Sequence, residues 1–153
     1  KDTCKGLRHN FPYCFKEHLY PGVPKLNLHT VVPHKAFPIG DCTVTPVEVM
    51  HGEMPIMGYR IGNFAYITDM KTINATELPY LEGVDTLVVN ALRWKKEHHS
   101  HQLIADAIAF SRAINAKRTY LTHLTHEIGL HEEAQQRLPE NIFFAYDGLE
   151  TDV

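Results

Sequence analysis

Two histidines three residues apart, His123 and His126, follow the short apolar run 119–122 near the C-terminal end. A neutral imidazole is the commonest metal ligand, and its ordinary titration falls near neutral pH. Taken alone, a His-x-x-His pair reads more readily as the half-solvated cap of a strand, because one pair supplies too few ligands for an ion. The same placement recurs along the chain, however. His51 ends a valine-rich run, Asp69 ends Tyr66-Ile67-Thr68, Asn90 ends the apolar run 86–89, and His101 opens a helical pattern. Singly, Asp69 and His51-Gly52 read equally well as turn residues. Jointly, two imidazoles and a carboxylate at strand ends make a catalytic-type zinc or manganese ligand set with room for water.

Such residues need rigid elements to aim them. Strands are expected over 43–50, 57–61, 64–68, 86–89, 119–122 and 142–145, because these runs are rich in β-branched and aromatic residues. Gly62-Asn63 between the second and third is a two-residue hairpin signal in which Asn63 is expected at positive φ. A helix is expected over 101–115, with Ser100 as N-cap and Ile104, Ala107, Ile108 and Ile114 at helical spacing, and a shorter one over 132–138. A hairpin first and strand–helix alternation afterwards argue a mixed α/β sheet covered by helices on at least one face. If the strands share one sheet, their ends share a rim, and the polar side chains converge there.

The segment 1–37 is the hardest to place. Pro12, Pro21, Pro24 and Pro33 preclude long regular elements, and Leu26-Asn27-Leu28 after a Gly-Val-Pro turn is expected as a short edge strand. His9, His18, His29 and His34 lie scattered here and read as structural or solvent-facing.

With 153 residues the chain is expected to form one domain, 1–153. Its net charge of −3 gives no electrostatic case for nucleic acid or a membrane surface. Cys4, Cys14 and Cys42 are odd in number and form no Cys-x-x-Cys pair, so free thiols and a cytoplasmic location are expected. No apolar run approaches the length of a membrane span.

The ordered set His51-Gly52, Tyr66-Ile67-Thr68-Asp69, Asn90-Ala91-Leu92-Arg93, His101, Leu121-Thr122-His123 and Ala145-Tyr146-Asp147-Gly148 resembles the metallo-β-lactamase superfamily. Its branch containing phosphoribosyl cyclic phosphodiesterase is the nearer likeness, and the tRNA 3′-processing endonucleases are more distant. The resemblance implies His51 and His123 as terminal ligands of two divalent ions, zinc or manganese, with Asp69 bridging both and so serving catalysis as well. It implies His101 as a non-ligand catalytic histidine beside the scissile phosphate, and His126 and Arg93 as substrate-binding candidates. The family's His-x-His-x-Asp-His signature is absent from the chain. The expectation is therefore the C-terminal half of an αββα sandwich, a mixed sheet with helices on its outer face. The N-terminal sheet and signature would come from residues upstream of Lys1 or from another chain.

The activity so implied is metal-dependent hydrolysis of a small phosphorylated substrate, a cyclic phosphate or nucleotide-like diester, through metal-activated hydroxide. Two alternatives stand beside it. One is hydrolysis of a lactone, thioester, other ester or RNA bond on the same scaffold. The other is a catalytically incomplete chain acting as a folding or interaction unit. The partners expected are that substrate and the missing N-terminal half, with neither membrane nor nucleic acid; a homodimer is compatible with the sequence.

Overall fold

The computed structural model describes residues 2–18 and 20–152. The chain divides into two compact units, Lys1–Val32 and Pro33–Val153.

In the first unit, α1 (Asp2–Asn10) is a helix that the proline count does not forbid, because it ends before Pro12. A single 3-10 turn, Pro12–Phe15, follows and buries Cys14. Leu26-Asn27-Leu28 is not a strand: its one backbone bond here, Leu26 N–H to the Cys14 carbonyl at 3.2 Å, ties it to that turn and not to a sheet.

The second unit is one seven-stranded sheet whose spatial order follows the sequence. The strands are β1 (Phe37–Ile39), β2 (Cys42–His51), β3 (Met54–Ile61), β4 (Phe64–Ile67), β5 (Thr86–Asn90), β6 (Arg118–Thr122) and β7 (Ile142–Phe144). Pairing is antiparallel from β1 to β4 and parallel from β4 to β7, so the sheet is mixed as expected. α2 (Ile104–Ala113) and α3 (His131–Gln135) follow β5 and β6.

Three two-residue loops make the antiparallel half. Ile39 opposes Cys42, His51 opposes Met54, and Ile61 opposes Phe64. Each loop puts glycine first, Gly40, Gly52 and Gly62 at φ 56°, 61° and 56°. That is the Gly-X hairpin, in which the first loop position alone takes positive φ. Asn63 is accordingly not among the described residues at positive φ, contrary to expectation. β3 also starts three residues earlier than expected, which turns His51-Gly52 from a free strand end into the first hairpin of the pair β2–β3.

Alternation along the parallel strands sends Ala65, Ile67, Leu87, Val89, Leu121, Ile142 and Phe144 into one core with Ile104, Ala107, Phe110 and Ile114. At about 25 cal/mol per Å² of apolar surface removed from water, this layer is the main stabilising term. The opposite face carries Tyr66, Val88, Tyr120 and Phe143 in register across β4–β7. Tyr66 there is 46% exposed. The outer edge of β7 is closed locally. Gln135 donates its amide N–H to the Ile142 carbonyl (2.9 Å) and accepts from Phe144 N–H (2.8 Å), standing in for a neighbouring strand.

Candidate metal centre at the strand-end rim

The rim is built from the residues that follow β2, β4 and β6. His51 closes β2, while Asp69 and His123 sit one or two positions beyond β4 and β6. Both take left-handed backbone conformations, Asp69 at φ 60° and His123 at φ 64°. Non-glycine residues rarely hold that region, at a cost of about 1–3 kcal/mol each, and such positions concentrate where a side chain must be aimed.

His51 is the most firmly oriented. Its Nδ1–H donates to the backbone carbonyls of Asp69 (2.9 Å) and Ser100 (3.1 Å). Two carbonyl acceptors require the proton on Nδ1, so the neutral ring keeps its lone pair on Nε2. That is how a ligating imidazole is held by its surroundings. One ligand atom each from His51, Asp69 and His101 lie within 4.8 Å of one another. His123 joins them, its Nε2 3.8 Å from Asp69 Oδ1. The His101 ring lies between the other two, 4.7 Å from His51 and 4.5 Å from His123, centre to centre.

His101 Nδ1 is buried and has no hydrogen-bond partner. A buried orphan nitrogen is costly unless a ligand answers it. Burial pushes the His101 pKa down, and the neighbouring rings of His123, His51 and His98 push the same way, against Asp69. These effects favour the neutral ring, the form that can ligate an ion or donate a single N–H. A cluster of three imidazoles and one carboxylate with oriented lone pairs fits divalent zinc or manganese by donor chemistry.

The expected helix start fails by three residues. α2 begins at Ile104, where the Asp106 carboxylate accepts from Leu103 N–H at 2.9 Å. Ser100 is not the cap: it is buried, and its N–H points to His98 Nδ1 at 3.3 Å. The segment 91–103 is therefore a loop folded onto the strand ends, and His101 is carried by that loop.

Asn90 belongs to the scaffold and not to the rim donors. Fully buried, its side chain exchanges two hydrogen bonds with Met70, accepting from N–H (2.8 Å) and donating to C=O (2.9 Å). Gln102, which sequence reading passed over, donates to the Asn90 carbonyl at 2.8 Å and pairs its backbone with Met70 and Leu92. Asn90 and Gln102 lock the loop that carries His101 against the loop that carries Asp69. The signal was a long amide side chain next to a candidate histidine, and it means something only once the loop is seen to be buried.

Arg93 is engaged elsewhere. Its Nε–H donates to the Lys96 carbonyl at 2.9 Å and its guanidinium pairs with Glu127. His126 opens a 3-10 turn, His126–Ile128, and is exposed. Neither residue is drawn into the His51–Asp69–His101–His123 cluster. Cys4, Cys14 and Cys42 are free thiols, and among the described residues no helix is long and apolar enough to cross a membrane.

The beta-lactamase superfamily domain model matches residues 1–124. Over 150 residues the chain is 44% identical to an octanoyltransferase of Porphyromonas gingivalis (strain ATCC BAA-308 / W83), covering 98% of this chain and 30% of that protein. A crystal structure of a diphosphatase from the PhnP family superposes with a TM-score of 0.84 at 36% identity, covering 97% of this chain and 54% of that one. Zinc-bound PqqB from Methylobacterium extorquens, at 16% identity and a TM-score of 0.63 over 82% of this chain and 55% of its own, shares the fold. The chain thus spans under a third of the curated relative and about half of the solved structures. With the model matched over most of the chain and the mixed sheet superposing as it does, this protein belongs to the beta-lactamase superfamily and has the metallo-β-lactamase-like fold.

Proposed function

We propose that the complete protein is a metal-dependent hydrolase that cleaves a phosphodiester or phosphoanhydride bond in a small phosphorylated substrate. The observation that carries this reading is the convergence of His51, Asp69, His101 and His123 on one rim, with Nε2 of His51 left free by its carbonyl partners. The 36% identity to a PhnP-family diphosphatase supports phosphorus as the centre attacked. The octanoyltransferase name belongs to a protein of which this chain covers 30%.

His51, Asp69 and His123 would hold the divalent ions, two in the complete domain. Bound there, the metal supplies Lewis acidity toward phosphoryl oxygens and makes water acidic enough to act near neutral pH. The chain's own residues do the rest. Asp69 fixes its carboxylate between His51 and His123 through a committed backbone conformation. His101, neutral and central, presents an N–H to the leaving oxygen and stabilises the charge that develops on it. Asn90 and Gln102 keep that ring in register with Asp69.

Three terminal or bridging ligands do not close two sites. The remaining ligands, in this proposal, come from an upstream sheet or another chain that covers the Tyr66–Val88–Tyr120–Phe143 face, 46% exposed at Tyr66. Residues 1–153 alone should then lose metal on dialysis and regain it with the other half. Tight binding of two equivalents by residues 1–153 in calorimetry would overturn the split site.

The test of activity uses the complete protein, stripped with chelator and reloaded with zinc or manganese. A diphosphate, a cyclic phosphate, a lactone and a thioester are then compared. Metal-dependent release of phosphate from the first two is expected. Turnover of the lactone or thioester alone would sink the phosphorus reading while leaving the fold assignment intact.

A further inference from the structure

Charge is divided unevenly along this chain. Residues 1–32 carry a net charge of +3, and residues 33–153 carry −6, against −3 for the whole. Within the first unit the positive charge is gathered around a cavity of about 440 Å³. Arg8, Lys16, Lys25 and His29 line it, with no carboxylate on its walls among the described residues. The floor is Cys14, 3% exposed, and the Leu26 N–H to Cys14 carbonyl bond holds the 25–29 segment across it. The Arg8 guanidinium is stacked over the Phe15 ring at 4.8 Å from its centre, which limits the freedom of the longest cation on the wall.

Three permanent cations facing one concavity repel each other, and nothing on the walls answers them. Such a site lowers the energy of an anion of more than one charge, and the arrangement favours phosphate groups, which accept several charge-assisted hydrogen bonds. The volume is within the usual range for small-molecule sites and exceeds what a lone phosphate fills. Leu26, Leu28 and Phe15 supply apolar wall for the rest of such a molecule.

We propose that the pocket bounded by Arg8, Lys16 and Lys25 is a binding site for a phosphorylated small molecule of nucleotide size. The assignment does not depend on the metal centre, because every residue it uses lies in the unit 1–32.

Calorimetry on the complete protein, freed of metal by chelator so that no phosphate is held by an ion, separates this site from the rim. Pyrophosphate and ADP are the probes, and adenosine is the uncharged comparison. Saturable binding of both anions is expected, weakening with added salt. Lys16→Gln/Lys25→Gln should lower the affinity at least about tenfold, with its circular-dichroism spectrum and melting temperature unchanged because both lysines are exposed. Asn27→Asp places a carboxylate on the same wall and should act in the same direction without removing a cation. Failure of both anions to saturate by about 1 mM, equal binding by the double variant, or adenosine binding as well as ADP would each overturn the proposal.

Discussion

Two histidines of this protein face a carboxylate, yet they are in opposite states. His34, at φ 63°, bonds the Glu77 carboxylate through Nε2 at 2.7 Å and stacks on Tyr80 at 3.9 Å with a 4° tilt. Glu77 in turn accepts from Glu48 N–H at 3.1 Å, so the cluster closes on itself and ties the entry to β1 onto the turn Ala75–Tyr80. His101 has three imidazole rings within 5.0 Å and a buried Nδ1 with no partner. His34 shares its left-handed backbone with Asp69 and His123 of the rim, so unusual backbone alone does not mark a site in this fold. What separates the two is whether the polar atoms are satisfied within the protein, because an unsatisfied buried group destabilises the fold unless something outside it binds there.

The largest effect should fall on the unsatisfied cluster. His101→Ala in the complete protein is expected to cut turnover by about two to four orders of magnitude, the usual contribution of a positioned acid or base. Metal content, measured by atomic absorption, should stay stoichiometric if the ring donates to substrate. A proportionate loss of metal would make His101 a ligand, which its place within 4.8 Å of the His51 and Asp69 donor atoms also permits geometrically.

The satisfied cluster should respond in stability. Glu77→Ala leaves Glu48 N–H and His34 without their partner, at about 1–3 kcal/mol for unpaired buried groups. The melting temperature should fall while kcat and metal stoichiometry per folded molecule stay unchanged. A drop in kcat with unchanged melting would break the comparison, since it would make the His34 cluster part of the site.

A third test concerns the β3–β4 hairpin. Gly62→Ala should cost about 1 kcal/mol, because an alanine must enter the left-handed region at φ 56°. Asn63→Thr should be close to neutral in chemical denaturation. The reverse order of effects would mean that Asn63, and not Gly62, holds the strained position in that hairpin.

These particular positions show how far the sequence could be read. Strand runs such as 43–50, 86–89 and 119–122 were legible because β-branched residues cluster there, and the polar residues that end them were legible as rim donors. The helix start was not. Ser100 followed by an apolar repeat looks like a cap, but a tertiary bond from Gln102 to Asn90 and a local one from Ser100 to His98 pull that stretch into a loop. Propensity yields to such contacts. The hairpin at His51-Gly52 was hidden because Met54-Pro55 breaks the β-rich pattern just where β3 begins. Asn90 looked like a donor because a buried amide and an exposed ligand are the same letter in a sequence.

The smallest effect concerns Arg93, and it sharpens the rule that satisfied groups are structural. Arg93 pairs with Glu127 and bonds the Lys96 carbonyl, so it resembles His34 more than His101. The hydrogen bond from Arg93 holds the Glu127 carboxyl below its usual range, against the opposing effect of dehydration, and the charges of Arg93 and Lys96 add to the lowering. A carboxyl whose folded pKa is depressed stabilises the fold above its unfolded pKa and loses that contribution as pH falls through the folded value. Glu127→Gln should therefore lower the melting temperature slightly at neutral pH, and the gap from the parent should shrink below the ordinary carboxylate range, near about pH 4. A gap that widens toward acid would contradict the pairing. The same variant also decides whether Arg93 binds substrate. If Arg93 were needed for a phosphate, freeing it from Glu127 would lower KM; if its place is in the loop framework, KM should hold and only the acid melting profile should move.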